Sequence, residues 1–305
     1  MILSTENSFL RMHVGERRAI EILAQAGFDA IDYGFSPALE RGEMPWSTAN
    51  YAQYAKEVLK IAEDNGVYFN QAHGPFQFDT SLFPDYSREV LPLCQRCFEA
   101  CALLKIPHVI IHPVHHIPYL GNEEKLWRMN MEFYRMLLEA AKPFGVKIAL
   151  ENMYQYDPRR GVLTTDVFAV PEKYAAFYDA LDDQNVTCCV DIGHCSIVGV
   201  DPNHMLRTMN RRVGALHVND NLFRTDDHMI PGHGLMNWNE ITKTLAEIDY
   251  QGDLTYEVIN VYRAYDPEFM PISAKYLHDV GRYLIAKVEG YKKRDKNGEP
   301  DENHC

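Results

Sequence analysis

No stretch of this chain approaches the roughly 18 consecutive apolar residues that a membrane-spanning helix requires, so no membrane partner is expected. Met1 to Leu10 lacks the basic segment and long apolar run of a secretory leader, and the expected location is the cytoplasm. Positive charge is scarce. Lys and Arg number 30 against 43 Asp and Glu, a formal net charge of -13. Non-specific nucleic-acid binding draws on basic side chains that neutralise phosphates, and no basic stripe offsets the deficit, which argues against such a partner. A Gly-rich phosphate cradle of the P-loop kind, low-complexity segments and sequence repeats are missing too. Seven cysteines, an odd number, sit mostly in apolar segments. Cys94, Cys97 and Cys101 recur at helical spacing, which predicts small buried hydrophobes, reduced in a cytosolic compartment, rather than metal ligands.

What is present is a 46% hydrophobic chain of 305 residues, enough for one large core. Its periodicity switches repeatedly between short β-type runs and amphipathic helices. The runs are Met1–Thr5, Ala30–Phe35, Val67–Ala72, His108–Ile111, Val146–Leu150, Val186–Val190, Val213–Leu216 and Asp253–Tyr256. Helices are expected over Gly15–Ala26, Thr48–Asn65, about Pro84–Leu104, Asn122–Phe144 with Asn122 as cap, Pro171 to about Asp182, Pro202–Arg211 capped by Asp201, Asn237–Ile248 and about Glu268–Tyr291. A longer polar connection is expected between Glu151 and Pro171, and an extended loop over Asn221–Met236. Strict alternation implies a parallel sheet, and eight units of this size suit a closed (β/α)8 TIM barrel, a single domain over residues 1–291. A doubly wound open sheet is the alternative. The charged segment Lys292–Cys305 is expected to be a frayed end.

The strand ends carry the functional signal. From the third strand to the eighth they read His73, His112, Glu151, Asp191 with His194, His217 and Glu257. Asp191 could simply cap the next helix. Yet Asp, Glu and His make up fewer than a fifth of the residues, so six successive strand ends of this kind are improbable by chance. In a parallel barrel these ends converge on the face where active sites lie.

Glu151, Asp191, His217 and Glu257 form an oxygen-rich set that suits Mn²⁺ above all, or Mg²⁺ or Co²⁺, and accepts Zn²⁺. Such an ion, holding the carbonyl and neighbouring hydroxyl of a sugar, stabilises an enediolate and makes an otherwise feeble C–H acid removable. Glu151 and Glu257 are the candidate catalytic pair, one abstracting the proton and the other returning it. Exchange across two faces inverts a stereocentre; exchange on one face moves a carbonyl.

The segments Leu150-Glu151-Asn152, Val190-Asp191-Ile192-Gly193-His194, Leu216-His217-Val218-Asn219-Asp220, Pro231-Gly232-His233-Gly234 and Tyr256-Glu257-Val258 resemble the xylose isomerase-like barrel superfamily of sugar phosphate isomerases and epimerases. The resemblance covers about Met1 to Tyr291. It implies a metal on Glu151, Asp191, His217 and Glu257, the two glutamates as acid and base, His194 on substrate oxygens, and a sugar or sugar derivative as substrate. By analogy it also implies a homo-oligomer. A lyase resembling inosose dehydratases or the barrel subunit of C-glycoside-cleaving enzymes would use the same residues.

The endonuclease IV branch shares the barrel and adds zinc ligands. His73, His112, His194, Asp226 and His228 match that pattern and are possible extra metal ligands. In the sugar reading His73, His112 and His228 bind hydroxyls instead, and Arg224 could meet an anionic group. His233 stands where the superfamily loop often carries an acid. Phe35, Trp46, Phe76, Tyr154, Tyr156 and Phe223 lie near strand ends, where aromatic faces pack on sugar C–H surfaces or fill the core.

Overall fold

A computed structural model describes residues 1–35, 46–75 and 85–297, without side chains for 295–297. Ten strands occur among them in chain order: β1 Leu3–Glu6, β2 Ala30–Gly34, β3 Tyr68–His73, β4 His108–Ile110, β5 Lys147–Glu151, β6 Tyr154–Asp157, β7 Val162–Thr165, β8 Val186–Asp191, β9 Val213–His217 and β10 Leu254–Tyr256. Eight of them pair in the order β10-β1-β2-β3-β4-β5-β8-β9, every pairing parallel. A parallel bridge between Val218 and Tyr256 joins the last strand to the first, with Val218 N–H donating to Thr255 O at 2.9 Å and Glu257 N–H to Val218 O at 3.2 Å. The ring is therefore a TIM barrel, and the open doubly wound sheet is excluded.

The helices form where apolar spacing required them. Glu16–Ala26 buries Ala19, Ile20 and Leu23 and stops at Gly27, whose φ of 103° suits only glycine. Pro202–Met209 starts at Asp201, whose carboxylate accepts from Asn203 N–H. Asn122 precedes Glu123–Ala141 but makes no side-chain cap hydrogen bond; its amide donates to Pro118 O. Cys94, Cys97, Cys101, Cys188, Cys189 and Cys195 are buried thiols; Cys305 and Phe76 lie outside the described residues.

The helix expected over about Pro84–Leu104 is two among the described residues, Tyr86–Glu89 and Leu91–Leu103, short helices form at Ile192–Ile197 and Asn260–Arg263, and three further boundaries differ from expectation. A short helix, Ser8–Val14, precedes Gly15. The polar connection after β5 folds into an antiparallel hairpin, β6 with β7, turned at Gly161. The final helix spans Met270–Asn297, so it enters the expected tail; Lys292 holds it there by donating to Tyr250 O at 2.6 Å beside Asp249. Among the described residues no helix is long and apolar enough to cross a membrane.

The barrel interior decides what reaches its mouth. Ile110, Ala149, Cys189 and Ala215 pack as a small apolar layer inside one half of the ring. The other half is filled by hydrogen bonds: Ser4 Oγ donates to Asn70 Oδ1 (2.7 Å), Asn70 to Thr255 Oγ1 (3.1 Å), and Gln71 to Asp32 Oδ2 (2.9 Å). Side chains two positions apart on a strand share a face. Stepping two residues from Ile110, Ala149, Cys189, Ala215, Gln71 and Thr255 gives His112, Glu151, Asp191, His217, His73 and Glu257.

Candidate metal centre

Donor atoms of Glu151, Asp191, His217 and Glu257 all lie within 4.8 Å of one another at the carboxyl ends of β5, β8, β9 and β10. His217 Nδ1 sits 2.8 Å from Glu151 Oε1, 3.4 Å from Glu257 Oε2 and 4.0 Å from Asp191 Oδ2. Asp191 caps the helix Ile192–Ile197 through Oδ1, which accepts from His194 N–H at 2.7 Å, and leaves Oδ2 toward the set. The cap and the site are thus the same residue in two roles. Asn152 holds the Asp191 backbone by accepting from its N–H (2.8 Å) and donating to its carbonyl (2.9 Å), while Asn219 Nδ2 lies 3.1 Å from Asp191 Oδ2.

A second layer rims the first. His112 Nε2 is 2.9 Å from Glu151 Oε2, and His73 Nε2 is 3.4 Å from Glu257 Oε1. His194 Nε2 stands 3.8 Å from Asp191 Oδ2 and 3.6 Å from Asp226 Oδ2. His228 Nε2 is 2.7 Å from Asp226 Oδ2, and Tyr154 donates its hydroxyl to the same oxygen at 3.1 Å with its ring edge-on to His194. Nine of the residues singled out in the sequence therefore converge: His73, His112, Glu151, Asp191, His194, His217, Asp226, His228 and Glu257.

Arg224 does not join them; it is exposed on the loop after β9. Phe35 and Trp46 pack with Tyr33 in the core, and Tyr156 and Phe223 face solvent, so of these aromatics only Tyr154 reaches the cluster. His233 turns outward to Tyr276. Sequence reading missed Asp32, a fully buried carboxylate on β2 whose oxygens lie 3.1 and 3.2 Å from His73 Nδ1. The signal was there: an acid inside the apolar run Ala30–Phe35 is costly to bury without a partner.

Crowded charges shift one another. Burial and the nearby Glu257, Glu151 and Asp226 outweigh His194 and push Asp191 up to about 7. Glu257 is pulled down to about 2 because His217 and His228 overcome its burial. Burial would raise Glu151, but His217 and His112 outweigh it and hold the carboxylate well below the usual range. Burial would lower His217, but Cys189, Glu151 and Glu257 hold its imidazolium well above the ordinary value. The set fits a divalent cation: three hard carboxylates and one imidazole face one point, and Glu257 Oε2 is shielded from solvent with no hydrogen-bond donor among the described residues.

The chain belongs to the xylose isomerase-like TIM-barrel family, which it matches over residues 20–279. An uncharacterised protein of Methanocaldococcus jannaschii is 29% identical over 195 residues, 62% of this chain and 64% of its own length. The D-psicose 3-epimerase of Ruminiclostridium cellulolyticum is 24% identical over 246 residues, 78% of this chain and 76% of that enzyme. Among solved structures, an L-ribulose 3-epimerase superposes with a TM-score of 0.72 over 100% of this chain and 99% of its own, at 16% identity.

Proposed function

We propose that this chain is a divalent-cation-dependent epimerase or isomerase of a keto sugar. One observation carries the reading: two glutamates, from strands separated by β8 and β9 in the ring, approach the same imidazole nitrogen at 2.8 and 3.4 Å. Glu151, Asp191, His217 and Glu257 would hold the ion, which when bound polarises a carbonyl and its neighbouring hydroxyl so that the intervening C–H becomes acidic. Mn²⁺ suits the set, as do Mg²⁺ and Co²⁺, with Zn²⁺ tolerated.

Glu151 and Glu257 then move the proton, one taking it and the other returning it. A placed carboxylate contributes about 10²- to 10⁴-fold to such a step. His73, His112, His194 and His228 ring the carboxylates and offer donors and acceptors to sugar hydroxyls. The epimerase activities of the relatives support this chemistry. Where the neighbouring carbon bears a leaving group, the same proton removal expels it, and the enzyme would be a lyase.

Incubating the Mn²⁺-loaded protein with a panel of ketohexoses and 3-keto glycosides tests the reading by product NMR. An epimer or aldose–ketose isomer is the expected product. Released water or aglycone would make it a lyase, and cleavage of abasic DNA with three ions per chain would replace sugar chemistry by phosphodiester hydrolysis.

A further inference from the structure

We infer that Asp32 is a positioning residue, the shared carboxylate beneath His73 and His217 that fixes which nitrogen of each ring faces the cation and Glu257. The inference rests on the proposed function in one respect, that His217 and Glu257 are ligands. Asp32 is fully buried on β2, level in register with Gln71 of β3 and one layer below the mouth. Its Oδ2 accepts from Gln71 Nε2 at 2.9 Å and lies 3.1 Å from His73 Nδ1 and 3.6 Å from His217 Nε2. The two imidazoles stack over it, with centroids 4.4 Å apart and planes 11° from parallel.

Each ring turns its other nitrogen to the mouth. His217 Nδ1 faces Glu151 Oε1 and Glu257 Oε2, and His73 Nε2 faces Glu257 Oε1 at 3.4 Å. The Glu257 carboxylate thus has one oxygen opposite each ring. A neutral imidazole has one N–H and one lone pair, and an acceptor on one side decides which nitrogen is which. Asp32 accepts from His73 Nδ1–H at 3.2 Å and so fixes that ring; at 3.6 Å it stands on the Nε2 side of His217 without a hydrogen bond, and its charge favours the proton there, which leaves the Nδ1 lone pair for the ion.

Asp32, His73 and His217 could themselves be taken as a ligand trio, since their donor atoms also lie within 4.8 Å of one another. That arrangement would require His217 to ligate through both nitrogens, and Asp32 Oδ2 already accepts from Gln71. Outer carboxylates of this kind orient the ligand and raise its basicity, and losing one costs roughly ten- to hundredfold in metal affinity.

Calorimetric titration of Mn²⁺ into wild-type and Asp32→Asn protein tests this, since Asn keeps the size and removes the charge. The expected result is one ion per chain in both, bound about ten- to hundredfold more weakly by the variant. Affinity unchanged within about twofold overturns the inference and leaves the proposed function standing, and so does a second wild-type ion lost in the variant. A wild-type protein that binds no Mn²⁺ removes both. Should Asp32→Asn fail to fold, ¹⁵N-histidine NMR of the Mg²⁺-loaded wild type decides: His73 protonated on Nδ1 and His217 on Nε2 supports the assignment, and the reverse tautomer of either ring overturns it.

Discussion

His112 Nε2 lies 2.9 Å from Oε2 of Glu151, a carboxylate only 1% exposed whose other oxygen faces His217. The two imidazoles bracket the carboxylate, His217 by a hydrogen bond to Oε1 and His112 by a close contact on Oε2. His112→Ala releases one side of that clamp while leaving the four donor residues in place. We expect kcat on the best ketose of the panel to fall about ten- to hundredfold with a much smaller change in KM. Steady-state kinetics check this; an effect on KM alone would make His112 a substrate contact only.

Cation uptake should depend on pH with a definite sign. His217 holds its proton well above the ordinary imidazole range because Cys189, Glu151 and Glu257 outweigh burial. A ligating nitrogen must release that proton, so protons and cation compete. Mn²⁺ affinity is expected to weaken from pH 8 to pH 6, by up to about tenfold per pH unit for each proton displaced. Titrations in buffers of different ionisation enthalpy count the protons released.

The loop after β9 is held by one buried carboxylate. Asp220 accepts from the backbone N–H of Gly232 (2.8 Å), Gly234 (3.1 Å) and Met236 (3.2 Å) and from Trp238 Nε1 (2.8 Å). A Cβ on Gly234 would fall 2.2 Å from Asp220 Oδ1, which explains glycine there. Asp220→Ala strands several shielded donors and should cost roughly 3 kcal/mol or more. Urea unfolding measures the loss, and hydrogen exchange of Gly232 to Met236 should accelerate with it.

His108, at the start of β4 far from the strand ends, reports on acid stability. Burial pushes its imidazole down to about 4. The unfolded chain takes up a proton near pH 6.5 while the folded chain stays neutral. Its contribution is therefore complete above pH 6.5 and is lost as pH falls from there toward 4, by up to roughly 3 kcal/mol for a shift of this size. His108→Gln should flatten the fall of unfolding free energy over that window; parallel curves for the two proteins would contradict it.

Much of this was legible from residue order. His73, His112, Glu151, Asp191, His217 and Glu257 follow β-type runs whose lengths set where each strand ends, and a parallel barrel brings such ends together without further information. Asp32 was less legible because it lies on the second strand, inside an apolar run rather than after it. The hairpin Tyr154–Asp157 with Val162–Thr165 escaped for another reason. Its strands are short and mostly half-exposed, so neither buries a face that would impose a period. Trp46 was ambiguous by nature: an aromatic near a strand end packs on sugar or on core, and only its T-shaped contacts with Tyr33 and Phe35 decide for the core.

Solvent deuterium wash-in tests the central claim most directly. With Mn²⁺ and the substrate found in the panel, the wild-type protein in D₂O should place one deuterium on the carbon beside the carbonyl. Glu151→Gln and Glu257→Gln should fold normally yet each block that incorporation in the isolated product. Deuterium entering at the wild-type rate in both variants would contradict the assignment of these two carboxylates as the groups that move the proton.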